Sequence, residues 1–181
     1  ALNGAKAKVP AMTGWRYDIF GKKCVDLMEG RIGLSLKDGE FTIDGNSIKS
    51  ASFVMDMSSI TNEDLTDEKW NSKLVNHLKS EDFFYVEKHP VSTFTLKEAS
   101  QIKEGKSTVK GDLTIKEITH PIELTINLKK IDKGYHVTGD VEIDRAKYDV
   151  KYGSESFFDN LGDKAISDIF KITLDIYAYQ K

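Results

Sequence analysis

Apolar and polar residues alternate along most of the chain with the two-residue period of a half-buried strand. Trp15 to Phe20 alternates in this way, and in Arg31 to Leu36 the residues Ile32, Leu34 and Leu36 share one face. Lys37-Asp38-Gly39 then predicts a turn, because glycine accepts the positive φ of primed hairpin turns; Phe41 and Ile43 follow, and Asp44-Gly45-Asn46 predicts a second turn. Ile48 to Met57 places Ala51, Phe53, Met55 and Met57 on one parity. Beyond Pro90 the pattern resumes in Val91 to Glu98 and Thr108 to Lys116. In Ile122 to Lys129, Ile122, Leu124, Ile126 and Leu128 alternate with polar residues. Asp132-Lys133-Gly134 turns the chain back into Tyr135 to Ile143, and Phe170 to Tyr179 is the last strand.

One segment breaks the alternation. Trp70, Leu74 and Leu78 recur every four residues behind Thr66, a candidate N-cap, with Asp67 and Glu68 at the positive end of the helix dipole. The predicted helix runs into Phe83-Phe84. A second interruption, Arg145 to Ser167, is a Gly-, Asp- and Ser-rich connection containing Phe157-Phe158; connections of that length inside a domain are usually functional or form a lid. From Ala1 to Met12, Gly4 and Pro10 argue against a long regular element.

The expected fold is therefore all-β with a short helix: a closed antiparallel barrel of about eight strands, the number at which a sheet closes and loses its edges. Its apolar parity faces inward and its polar parity faces water. Such an interior either fills with side chains or holds one slender ligand. Strands of about ten residues, tilted about 40°, give a barrel on the order of 25 Å deep, longer than the roughly 15 Å of half a bilayer core. About fifteen carbons buried at about 0.8 kcal/mol each give on the order of 12 kcal/mol relative to water. A membrane already satisfies most of that energy, so exchange with a bilayer is easy and transient membrane contact is expected. The side chains expected to meet such a lipid are Ile32, Leu34, Phe53, Met55, Phe94, Leu113, Leu124, Ile126, Ile172 and Leu174 from the strands. Trp70, Leu74, Leu78, Phe83 and Phe84 form a closing wall that sets access, and Phe157 and Phe158 form a second gate.

Composition narrows the alternatives. The chain has 181 residues, 39% of them hydrophobic and 30% charged, with a net charge of -3 and acids and bases intermixed. No basic stripe points to nucleic acid. No window approaches the roughly 20 apolar residues of a membrane-spanning helix. Ala1 opens the chain without the charged and apolar regions of a secretory signal, which is expected to be absent or already removed. Cys24 stands alone and reads as a small hydrophobe, and the four histidines, His77, His89, His120 and His136, show no metal-ligand spacing. Asp159-Asn160-Leu161-Gly162-Asp163 lacks the spacing of a calcium loop and reads as a turn, and Asp144-Arg145 reads as a structural pair or rim contact. No nucleophile elbow, phosphate loop or dinucleotide fingerprint is present, so no catalytic residue and no required cofactor are assigned. Two rival readings stand beside a lipid-binding module: an enzyme or redox partner acting on a lipid head group through His77, His89 or Arg145, and a solid-core structural barrel.

Four blocks of sequence resemble the bacterial YceI-like family, in that family's order. They are His77-Leu78-Lys79-Ser80-Glu81-Asp82-Phe83-Phe84; Pro90 with Thr93-Phe94; Val109 to Lys116 with Thr119-His120-Pro121-Ile122; and Ile143-Asp144-Arg145 with Tyr148. The resemblance covers about residues 30 to 180, and Tyr152 to Lys164 resembles a subset known from Bacteroidetes-type bacteria. It implies a lipocalin-like barrel around a polyisoprenoid or similar amphiphile such as an isoprenoid quinone or fatty-acyl lipid, a periplasmic or secreted location, and in some members a homodimer. Residues 1–181 are then one domain, with a poorly matching segment over 1–28. The chain departs from the family at Met28-Glu29-Gly30, where members commonly have His-x-Gly, and at Asp149, where they commonly have glycine.

Overall fold

The computed structural model describes residues 5–8, 14–19, 31–62, 65–159, 161 and 165–180. Cys24, Gly21-Lys22-Lys23 and Met28-Glu29-Gly30 lie outside them, as do Asn160, Gly162 and Asp163 of the expected turn. Among the described residues nine strands form one antiparallel sheet: β1 (Ala5–Lys8), β2 (Gly14–Ile19), β3 (Arg31–Asp44), β4 (Ser47–Asn62), β5 (Val91–Ala99), β6 (Lys106–Ile115), β7 (Ile118–Ile131), β8 (Gly134–Asp144) and β9 (Ile169–Gln180). The seven strands β3 to β9 make a nearly closed barrel, running around the ring from β3 through β4 to β9. Between β3 and β9 the ring is completed by β1 and β2 in tandem. β1 pairs with Phe41 and its neighbours and with Tyr179, whereas β2 pairs with Arg31 to Ser35 and with Phe170 to Leu174. The expected count of about eight thus corresponds to seven long strands and one shared position.

Lys37-Asp38-Gly39 does not turn the chain. It is a bulge inside β3, where the register against β4 shifts between Leu36 and Asp38. Glycine is needed there for close approach, since a Cβ on Gly39 would lie 2.6 Å from the Phe53 ring. The turn at Asp44-Gly45-Asn46 does form, with Gly45 at φ 58°.

The helix, α1 (Glu68–Lys79), is capped by Asp67, whose side chain accepts from the Trp70 N–H, one residue beyond the expected Thr66. Leu78 is fully buried, Leu74 half-buried, and Trp70 is 48% exposed. A four-residue step turns a helix by about 400°, so a row spaced by four drifts about 40° per step off the buried face. Trp70 stands two steps from Leu78 and lies outside, under the Lys73 ammonium at 5.0 Å.

The core is continuous, but its two ends differ. At the end bearing α1, Leu78, Phe83 and Phe84 are buried together with Ile32, Leu34, Met55, Leu113, Tyr148 and Ile172, and side chains fill the barrel. The opposite end carries the short β3–β4, β5–β6 and β7–β8 connections.

Candidate functional site

The interior cavity occupies the half of the barrel toward those short connections. It measures about 50 Å³ within about 650 Å³ of atom-free space. Every lining side chain is apolar: Phe41, Ile48, Ala51 and Phe53 come from β3 and β4, Phe94, Leu96 and Val109 from β5 and β6, and Ile122, Leu124, Ile126 and Leu128 from β7. Val137, Val141, Leu174 and Ile176 complete the wall. A space of this size has room for water but offers no hydrogen-bond partner, so it stays dry and favours apolar occupants. Gly111 shapes the wall, because a Cβ there would lie 2.5 Å from both the Phe94 ring tip and the Thr95 carbonyl; its absence lets Phe94 lie across β6.

Of the expected ligand-facing residues, Phe53, Phe94, Leu124, Ile126 and Leu174 are brought together here. Ile32, Leu34, Met55, Leu113 and Ile172 point inward but lie in the filled half, with Leu78, Phe83 and Phe84; half-buried Leu74 packs against the same core. Trp70, Phe157 and Phe158 are on the outside, the two phenylalanines 43% and 49% exposed. Their N–H groups both bond the Ser154 carbonyl, and this tight turn holds the rings away from the barrel. Leu78, Phe83 and Phe84 are buried at the α1 end and are not among the residues that line the cavity. Ten lining residues escaped the expected set. Val137, Val141 and Ile176 carried the signal, lying in phase on strands already recognised.

The filled end is organised by Arg145, 2% exposed at the start of a 3₁₀ turn, Arg145–Tyr148. Its Nε donates to the Ser167 carbonyl at 2.9 Å, Nη1 to the carbonyls of Val150 and Tyr152 at 2.9 and 2.8 Å, and Nη2 to that of Ile166 at 3.0 Å. The Asp168 carboxylate lies 3.4 Å from Nη2, and the Phe83 ring lies 5.4 Å from the guanidinium carbon. Four of its five N–H donors are bonded to backbone carbonyls and the Asp168 carboxylate stands beside Nη2, so the guanidinium is committed to this connection. Burial lowers the pKa of Arg145, and Asp168 and then Asp144 oppose the shift. Asp144 caps the 3₁₀ turn by accepting the Ala146 N–H at 3.0 Å and also acts on Arg145 through its charge. The long connection is thus a belt tied around a cation.

The histidines considered for head-group chemistry lie away from the cavity. His77 packs its ring 4.4 Å from Tyr152 and 5.9 Å from Phe83, and buried His89 has Nδ1 3.7 Å from Glu117. Among the described residues no cluster of three or more His, Cys, Asp or Glu side chains could hold a metal. Asp149 takes φ 59°, the left-handed conformation that glycine adopts without strain and that aspartate tolerates. Its carboxylate is anchored by Lys151 at 2.6 Å and held below the usual range chiefly by that hydrogen bond.

Tyr148 is buried, and its hydroxyl finds no partner among the described residues. Burial, reinforced by Asp144, pushes its pKa from 10.0 up to about 12. The folded state therefore holds a proton that the unfolded chain releases, and stability present below pH 10 is lost as pH rises toward 12. Tyr148→Phe is expected to flatten this loss in urea titrations between those pH values. At neutral pH it is expected to change stability by less than about 1 kcal/mol, since no hydrogen bond is removed.

The YceI-like domain pattern matches residues 21–178. The chain belongs to the YceI-like family. A UPF0312 protein of Staphylococcus epidermidis is 29% identical over 142 residues, covering 72% of this chain and 75% of that protein. BcnA of Burkholderia cenocepacia has the same fold at 18% identity, with a TM-score of 0.67 over 91% of this chain and 94% of that one. So does a polyisoprenoid binding domain from Saccharophagus degradans, at 13% identity and a TM-score of 0.65 over 99% of this chain and 100% of that one. A 42-residue stretch is 42% identical to ribonuclease D of Zymomonas mobilis and spans 11% of that protein.

Proposed function

We propose that this YceI-like barrel binds, and carries between membranes or partners, the apolar tail of a long-chain lipid of the isoprenoid quinone, polyprenyl or fatty-acyl type. The observation that carries the reading is the cavity itself: it is lined only by hydrocarbon side chains and lies in the half of the barrel away from α1. At about 25 cal/mol per Å² of apolar surface, a saturated or isoprenoid chain is the ligand class that such a wall rewards. A sugar or nucleotide would leave its polar groups unpaired there. The slot is narrow, so the tail enters by re-rotating flexible lining side chains such as Leu96 and Leu128. Likeness to the polyisoprenoid binding domain supports the same class.

Binding rather than catalysis is favoured because none of His77, His89 and Arg145 is among the residues that line the cavity. Family membership supports a periplasmic or secreted setting. Among the described residues no helix is long and apolar enough to cross a membrane.

Organic extraction of the purified protein followed by mass spectrometry is expected to recover a long-chain lipid. Recovery of none, together with no uptake of an apolar fluorescent probe, would sink the proposal.

A further inference from the structure

The barrel wall is split on one side. β7 and β8 pair only from Ile126↔Gly139 to Ile131↔Gly134. Beyond that vertex, Ile122 to Thr125 of β7 are held only by β6, and Asp140 to Asp144 of β8 only by β9. The split is spanned near its far end, where His120 Nε2 donates to the Lys147 carbonyl at 3.0 Å. Two residues favour it: Pro121 has no N–H to offer a ladder, and at Gly139 a Cβ would sit 3.0 Å from the Thr125 carbonyl, so the strands approach at the vertex and diverge after it.

A surface cleft of about 830 Å³ lies over the vertex of the split. Leu124, Val141 and Leu174 line both this cleft and the interior cavity. At the α1 end Phe83 and Phe84 are buried, and at the other Ile102 and Tyr135 pack on the core, where the Ile102 N–H bonds the Asn46 carbonyl at 2.7 Å.

We propose that the split between β7 and β8 is a lateral portal through which the lipid tail passes, and that the head group left in the cleft is uncharged. This rests on the lipid-binding reading. A route between strands costs no ladder hydrogen bonds, because none are present there, whereas entry at the α1 end would displace buried Phe83 and Phe84. The rim supplies the head-group chemistry. Glu123, Asp140, Glu142 and Asp175 line the cleft against one cation, Lys106. The neighbouring Lys110 and Lys171 are paired with Glu123 and Asp140 at 3.2 and 3.1 Å, and His136 with Asp175 at 2.7 Å. Such a rim has no surplus positive charge for a phosphate, but its carboxylates can accept from an alcohol and its threonine hydroxyls can donate to a quinone carbonyl.

The test uses the full chain with Cys24→Ser and single cysteines arylated with N-phenylmaleimide. Stopped-flow uptake of N-phenyl-1-naphthylamine reads the route. Arylation at Thr125→Cys, on the rim, is expected to slow both uptake and release at least tenfold with Kd within about twofold. The same group at Lys97→Cys on the outer face or at Asn46→Cys beside the short connections leaves the rates unchanged. Slowing at position 46 and not at 125, or equal slowing at all three, would overturn the portal. Farnesol is expected to displace the probe at concentrations at least tenfold below those of farnesyl diphosphate; parity or the reverse order would overturn the head-group assignment. If unmodified protein takes up no probe, the lipid-binding reading itself falls, and the portal with it.

Discussion

Arg145→Ala is expected to lower the free energy of unfolding by about 3–5 kcal/mol, the cost of breaking a buried charge network by removing one partner. The guanidinium holds four carbonyls from Val150 to Ser167 and the Asp168 carboxylate, and truncation would leave all five groups facing a cavity. Arg145→Lys keeps the charge but offers three donors on one nitrogen instead of five on a planar fork, so a loss of about half that size is expected. Urea denaturation measures both. Hydrogen exchange in the α1 end should rise in the same variants, because Arg145 ties four carbonyls at the two ends of this connection to the barrel. Lys97→Ala is the control: its pair with Asp112 at 3.2 Å is exposed, and a change within about 0.5 kcal/mol is expected. A small effect at Arg145 would mean that the belt is held by something other than its cation.

Ala51→Phe is expected to abolish lipid uptake while leaving the protein folded. Ala51 lines the cavity from β4, beside Phe53 and Phe41, and a phenyl ring there would occupy the slot without touching the filled half. Filling an existing void adds buried apolar surface, so thermal stability should hold or rise, in contrast to overpacking a solid core, which costs about 1–3 kcal/mol. Loss of at least tenfold in apolar-probe affinity with an unchanged or raised Tm is the expected pair of results. Retained affinity would place the binding site elsewhere.

The alternation of side chains made the strands and their inward face legible, because a two-residue period is a property of the local chain. Ile122 to Leu128 is the clearest case, and it lines the cavity as its parity requires. Parity, however, gives the face of a strand and not the height along the barrel. Leu34 and Leu174 both face inward, yet one meets the packing at the α1 end and the other the open slot. The packing at the α1 end includes Phe83 and Phe84, which come from a connection remote in sequence from either strand.

Two further features had no local signature. Arg145 is held mostly by backbone carbonyls, which every residue carries, so nothing around Val150 or Ile166 marked them as its partners. The split between β7 and β8 is a failure of pairing between two strands that each read as regular. Pro121 was its one visible trace, since proline in a strand belongs where a ladder is absent. The bulge at Lys37-Asp38-Gly39 misled for the complementary reason: an Asp-Gly pair serves a turn or a bulge equally well, and the long pairing of β3 with β4 decided for the bulge.

Crystallography with a dibrominated long-chain alcohol, using the anomalous signal of bromine, tests most directly where the tail lies. Bromine density is expected inside the barrel among Phe53, Leu124 and Val137, in the half away from α1. Density beside Phe83 and Phe84, or on the outer surface alone, would contradict the assignment of the cavity as the lipid site.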